Sequence, residues 1–188
     1  MKIAICNQKG GAGKTTITLL LAYALGDAGK KVCIVDRDPQ KTATKWLETA
    51  PGKNVTVADS IKGFDVVFFD TPGSLESQAL IESIKEADRA ILVSSTSPAD
   101  LWSTREAGTA IRTVRPDLKA AVLFNKVDNR TEFARLIPDY AKAIGFPSLQ
   151  NSLPQRQAFQ KAALAGWGAL RPTDRELMAQ LAIEILTL

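Results

Sequence analysis

Histidine is absent from the 188 residues, so no Ser-His-Asp or Cys-His nucleophilic machinery and no histidine metal site can exist. Any reaction must run on carboxylates, lysines and a bound divalent ion. Cysteine is scarce: Cys6 and Cys33 stand singly in apolar segments without C-x-x-C spacing. A disulfide framework is thereby excluded, and both read as small buried residues. No apolar run is long enough to cross a bilayer, and the first predicted strand starts at residue 2, leaving no room for a secretory leader. A cytoplasmic location is expected. Acidic side chains are missing from Tyr140 to Thr173. Between Arg105 and Arg175, 12 Lys and Arg face 6 Asp and Glu, whereas residues 1–99 are nearly balanced at 12 against 11. The net charge of +4 is thus concentrated late in the chain.

What is present is a glycine-rich loop. Lys2 to Cys6 is short, β-branched and apolar, and Ile17 to Ala28 is long and apolar enough for a largely buried helix. Between them lies Asn7-Gln8-Lys9-Gly10-Gly11-Ala12-Gly13-Lys14-Thr15-Thr16. Strand, glycine loop and helix are the setting of a P-loop, in which backbone N–H groups and the positive end of the helix dipole converge on one anion. Gly10, Gly11 and Gly13 allow positive φ and close approach to phosphate oxygens. Lys14 supplies a point charge to the β and γ phosphates, and Thr15 a hydroxyl ligand for Mg²⁺. The usual pattern has glycine five residues before Gly13; this chain has Gln8 there and a second lysine, Lys9, before the paired glycines.

With 45% hydrophobic residues, the length suits one α/β domain over residues 1–188, built on a mostly parallel central sheet flanked by helices. A second apolar strand, Val32 to Val35, delivers Asp36 and Asp38 to the edge where open α/β sheets bind ligands. Two carboxylates there can hold metal-bound water and orient an attacking water. Asp38 is also expected to cap a helix starting near Pro39. That helix, Lys41 to Thr49, carries Trp46 as a core residue, and a brief strand is expected near Val55 to Ala58. Phe64 to Asp70 is a hydrophobic strand ending in an acid, a Walker B pattern that places Asp70 on Mg²⁺ through water, with Gly73 freeing the loop that follows. Further helices are predicted at Ser77 to Ala87, Ser97 to Val114, Glu132 to Ile144, Gln155 to Ala165 and Asp174 to Leu186. Strands are predicted at Arg89 to Ser95 and Ala120 to Phe124, with Phe146 to Leu149 a strand or extended segment.

The string Lys9-Gly-Gly-Ala-Gly-Lys-Thr-Thr resembles the deviant Walker A box of the ParA/MinD family of ATPases. The Asp36-Arg37-Asp38-Pro39-Gln40 box, the Pro98-Ala99-Asp100-Leu101-Trp102 stretch and the late spacing of Arg156, Phe159, Ala162, Ala163 and Gly166 extend the resemblance across the chain. It implies a P-loop fold of the deviant Walker A type and slow ATP hydrolysis with Mg²⁺. It assigns catalysis to Lys9, Lys14 and Asp38, and nucleotide binding to Lys9, Gly10, Gly11, Ala12, Gly13, Lys14, Thr15 and Thr16. Metal binding falls to Thr15, Asp36 and Asp70. In such proteins Lys9 reaches the partner's nucleotide in an ATP-dependent homodimer.

The resemblance further implies non-specific DNA binding on the nucleoid, and a ParB-like or cargo-bound adaptor that stimulates hydrolysis, moving a plasmid, a chromosome region or a large protein assembly. The likeness is to small ParA-type partition proteins without a helix-turn-helix extension, so operator reading is not expected. Lys142, Arg156, Lys161 and Arg171 are the candidate DNA contacts; the other reading of them is solvated surface charge. Asn125-Lys126-Val127-Asp128 invites the guanine recognition of GTPases, but similar runs in ParA-like proteins face adenine, and Asn125 is the candidate base contact. A MinD-like membrane ATPase would need a cationic terminal helix. The segment from Asp174 carries three acids against Arg175, so packing on the domain, without a membrane, is expected. A biosynthetic enzyme of similar fold is the remaining alternative.

Overall fold

The computed structural model describes residues 1–74 and 77–188. Six strands, β1 (Lys2–Cys6), β2 (Val32–Asp36), β3 (Val55–Val57), β4 (Val66–Asp70), β5 (Arg89–Ser94) and β6 (Lys119–Phe124), form one sheet in the order β3-β2-β4-β1-β5-β6. All neighbours pair in parallel. The links from β1 to β2, β2 to β3, β4 to β5 and β5 to β6 each carry a helix, β3 passes to β4 through a loop, and the sheet is covered on both sides.

Side-chain alternation sorts the core. Ile3, Ile5, Ile34, Phe68, Ile91 and Leu123 face one layer, formed by α1 (Lys14–Asp27), α2 (Thr42–Thr49), α7 (Gln157–Ala165) and α8 (Pro172–Thr187). Ala4, Cys6, Cys33, Phe69, Leu92 and Phe124 face the other, formed by α3 (Gln78–Glu86), α4 (Pro98–Val114) and α6 (Ile137–Ile144). Both cysteines are free and buried, as the apolar setting predicts. Trp46 is also core.

The first helix is apolar on all sides because α8 covers the flank the sheet does not, burying Met178, Leu181, Ala182 and Ile185. Glu184 on that helix accepts from the Gln150 and Asn151 amides, fixing it to the preceding loop. Among the described residues no helix is long and apolar enough to cross a membrane.

Beyond shifts of one or two residues at element ends, four features differ from the sequence expectation. The first helix starts at Lys14 rather than Ile17, because Gly13 takes the N-cap position in a left-handed conformation and admits Lys14 to Thr16 to the first turn. The helix expected over Glu132 to Ile144 is two, α5 (Glu132–Arg135) and α6, parted at Leu136 just ahead of Pro138, whose missing N–H suits a helix start and not an interior. Residues 146–149 add no full strand: Val122 donates to Pro147 O and accepts from Leu149 N, which blunts the β6 edge. Asp38 does not cap α2, which begins at Thr42 after the left-handed Lys41. Its carbonyl and carboxylate instead close a tight turn, accepting from Lys41 N at 3.0 Å and Gln40 N at 2.8 Å.

Candidate functional site

The tips of β1, β2, β4, β5 and β6 meet at one edge of the sheet, and the glycine loop between β1 and α1 crosses it. Asn7 anchors the loop from below. Its buried amide donates to Val93 O and its Oδ1 accepts from Lys9 N at 2.8 Å and Ser103 Oγ at 3.0 Å. Gly11 and Gly13 take positive φ as expected, whereas Gly10 does not. At Gly13 a Cβ would also collide with Asn125 Nδ2, so the loop and the end of β6 touch where only glycine fits.

Beside this loop opens a cavity of about 450 Å³. Its floor is Gly13, Lys14, Thr15 and Thr16; Asp38 stands on one wall and Gln155 to Gln157 on the other. Lys14 is buried, its ammonium 3.3 Å from Lys9 O, and burial holds it below the ordinary lysine value against the pull of Asp70 and Asp38. Among the described residues this cation has no carboxylate in contact, and at the N-terminus of a helix it is arranged for an anionic ligand.

Asp70 is fully buried at the tip of β4, accepting from Thr15 Oγ1 at 2.8 Å and Thr18 Oγ1 at 3.3 Å. Burial pushes its carboxyl up to about 7; the Thr15 bond opposes this and neighbouring Asp36 adds to it. Asp36 lies directly across the ladder from Asp70 and is itself held by Thr44 N and Thr44 Oγ1 at 3.0 and 2.9 Å. Two carboxylates in register and a threonine hydroxyl beside a cavity floored with backbone N–H groups suit a hard cation shared with phosphate. Among the described residues no cluster of three or more acidic, cysteine or histidine side chains forms a full protein cage. A metal held here keeps water or phosphate ligands, as Mg²⁺ does.

Asn125 reaches the site in an unexpected posture. Its Nδ2 is engaged by Ala12 O at 2.9 Å, so it buttresses the glycine loop from behind. Lys126, to which the sequence alone assigns no role, does the same through Nζ to Gly11 O at 2.7 Å. Arg37 is a second residue without a role legible in the sequence: it lies over the Phe69 ring and bonds Ser83 and Glu86, tying the turn between Asp36 and Asp38 to α3. Asp100, in sequence no more than one position of a motif, proves to be the partner of Lys9. Pairings across such sequence distances leave no local signal.

The four basic candidates do not share one face. Lys142 lies on α6, in the layer with α4, while Arg156, Lys161 and Arg171 belong to the opposite layer with α7 and α8. Arg156 and Arg171 both bond the fully buried Asp174, and Arg156 also lines the cavity. Among the described residues Lys142 and Lys161 make no ion pair and are exposed.

Residues 3–167 match a family model described as the CobQ/CobB/MinD/ParA nucleotide binding domain. The chain is 33% identical over 187 residues to a "Maintenance of carboxysome distribution protein A" from Gloeobacter kilaueensis, covering 90% of this chain and 83% of that one. A protein of the same name from Halothiobacillus neapolitanus is 29% identical over 184 residues, covering 87% and 84%. Among solved structures, apo McdA from Cyanothece superposes with a TM-score of 0.82 at 19% identity, covering 98% of both chains. A variant of that protein has been solved as an ATP complex.

Proposed function

The chain belongs to the CobQ/CobB/MinD/ParA nucleotide-binding family, and we propose that it is a ParA-type positioning ATPase acting as a single unit over residues 1–188. The observation that carries this reading is that Lys14, Thr15 and Asp38 line one cavity at the sheet edge, with Asp70 bonded to Thr15 behind it. Bound Mg²⁺·ATP supplies the transferable phosphoryl group. Lys14 and the N–H groups of Gly11 to Thr16 hold its phosphates, and Thr15 and Asp70 hold the metal with Asp36 behind them. Asp38, on the cavity wall, orients the attacking water and takes up its proton. The ordering of this apparatus awaits a partner, so basal turnover is slow.

Lys9 extends to the nucleotide of a second copy in an ATP-dependent homodimer, and the dimer binds DNA phosphates without sequence preference, placing the protein on the nucleoid in the cytoplasm. A cargo-bound, ParB-like adaptor stimulates hydrolysis and release. The likeness to carboxysome-distribution proteins favours a large protein assembly as cargo over a plasmid or chromosome region. Burial of the apolar face of α8 in the core speaks against a MinD-like lipid anchor there. The test is phosphate release from Mg²⁺·ATP, with and without duplex DNA, together with ATP-dependent DNA retention. No turnover and no retention in any nucleotide state would refute the reading.

A further inference from the structure

The loop after β6 is built more rigidly than a connection requires. Asn125 and Lys126 tie it to the glycine loop through Ala12 O and Gly11 O. Val127 ties it to the next segment, donating to Leu153 O at 2.9 Å and accepting from Gln155 N at 3.2 Å. Asp128 follows at once, so its backbone starts from a segment held against the phosphate loop. It lines a second cavity, of about 540 Å³, with Arg130, Pro154, Gln155 and Gln157. Pro154, Gln155 and Gln157 also line the phosphate cavity, so the two spaces adjoin. A nucleotide with its phosphates on Lys14 has room there for its base.

Asp128 does not face that space bare. Arg130 closes on it with a two-pronged fork, Nε to Oδ1 at 2.9 Å and Nη2 to Oδ2 at 2.8 Å, and its backbone N adds a third bond to Oδ1 at 3.1 Å. Two parallel N–H donors on a planar group are what the guanine edge presents through N1–H and its exocyclic amine. Adenine presents one donor beside a ring nitrogen lone pair, which an uncovered carboxylate would repel. The Arg130 side chain is 90% exposed and can swing into water, so the cover is removable.

We infer that Asp128 is a guanine-competent carboxylate covered in cis by Arg130, and that Arg130 is the specificity-determining residue reserving the base site for adenine. Covering the carboxylate removes the one acceptor pair that would select guanine and screens its charge from the adenine ring. This rests on the nucleotide reading above and names how its base is chosen.

Calorimetric titration of the full chain with ATP and with GTP, each with Mg²⁺, tests it on three proteins. Wild type binds ATP in preference to GTP. Arg130→Ala, at an exposed position that leaves the fold intact, shifts the affinity ratio toward GTP by about tenfold, the scale of one bidentate base contact. Adding Asp128→Asn to Arg130→Ala, which replaces one acceptor oxygen by a donor, returns the ratio. An unchanged ratio in Arg130→Ala, or a GTP gain that survives Asp128→Asn, overturns the inference. Binding of neither triphosphate by wild type would instead overturn the nucleotide reading, and this inference with it.

Discussion

The Lys9 ammonium sits 2.6 Å from Asp100 Oδ1 of the same chain, although the resemblance that singled out Lys9 sends it to a partner's nucleotide. Asp100 is well prepared to keep it. Burial raises its carboxyl, but the bonds from Lys9 and Ser95 outweigh that and leave it below the usual aspartate value. Lys9 is half exposed, so the pair contributes roughly 1 kcal/mol and is not permanent.

Dimerisation through Lys9 must therefore break this pair. Lys9→Ala is expected to retain ATP affinity and lose the ATP-dependent dimer in light scattering; a mutant that still dimerises refutes the cross-subunit role. Asp100→Asn frees the lysine and should lower the ATP concentration for half-maximal dimerisation by about fivefold, the equivalent of roughly 1 kcal/mol.

The same pair has a pH signature. A carboxyl depressed in the folded state contributes stability above its unfolded value near 3.8, and that contribution is lost as pH falls through the lower folded value. Urea unfolding at about pH 6 and at successively lower pH below 3.8 should show a smaller acid loss in Asp100→Asn than in wild type. Equal losses would mean that the pair contributes nothing.

Within the cavity, Lys14→Ala removes the buried cation and should abolish ATP binding by calorimetry; wild-type affinity would rule out the phosphate role. Asp38→Ala leaves the floor intact and should bind ATP with near-wild-type affinity while phosphate release falls roughly 100-fold or more. Undiminished release would remove Asp38 from the mechanism.

For DNA, the ion pairs dictate the choice of variant. Arg156→Glu sets an acid beside the buried Asp174 and is expected to lower the melting temperature, confounding any binding assay. Lys161→Glu and Lys142→Glu do not carry that cost. On the proposed function, Lys161→Glu weakens retention on random-sequence duplex and makes the log–log salt slope shallower by about 0.9 for each phosphate it no longer neutralises. If only Lys142→Glu weakens it, the DNA lies on the α4–α6 side instead.

The phosphate loop and the two strand-end acids were legible because their chemistry is local: glycine, lysine and threonine adjoin one another, and Asp70 ends its own apolar run. The apolar runs of β1, β4 and β6 likewise announced a buried parallel sheet. What stayed hidden depends on which layer a helix joins. Periodicity shows that Lys142 and Lys161 lie on helices, but not that those helices cover opposite sides of the sheet. The Lys9–Asp100 pair spans 91 residues and has no sequence signature. The break at Leu136 was in principle readable from Pro138, yet the apolar periodicity continues through it. Asp38 looked like a helix cap because Asp-Pro often is one; here Lys41 adopted the left-handed turn that delays the helix.

The central position of β1 sets the order in which the site can come into being during synthesis. Its neighbours in the sheet are β4 and β5, with Ile3 beside Phe68 on one side and Arg89 on the other. The glycine loop leaves the ribosome well ahead of these strands, and β1 lacks its second neighbour until β5 has followed. At roughly 5–20 residues per second, that leaves several seconds in which the apolar β1 and α1 have no sheet to join. The nascent chain is thus most exposed to misassembly, and to chaperone capture, before its nucleotide can bind; once Gln155 to Gln157 have closed the cavity and α8 has packed on α1, nucleotide can hold the completed fold by mass action.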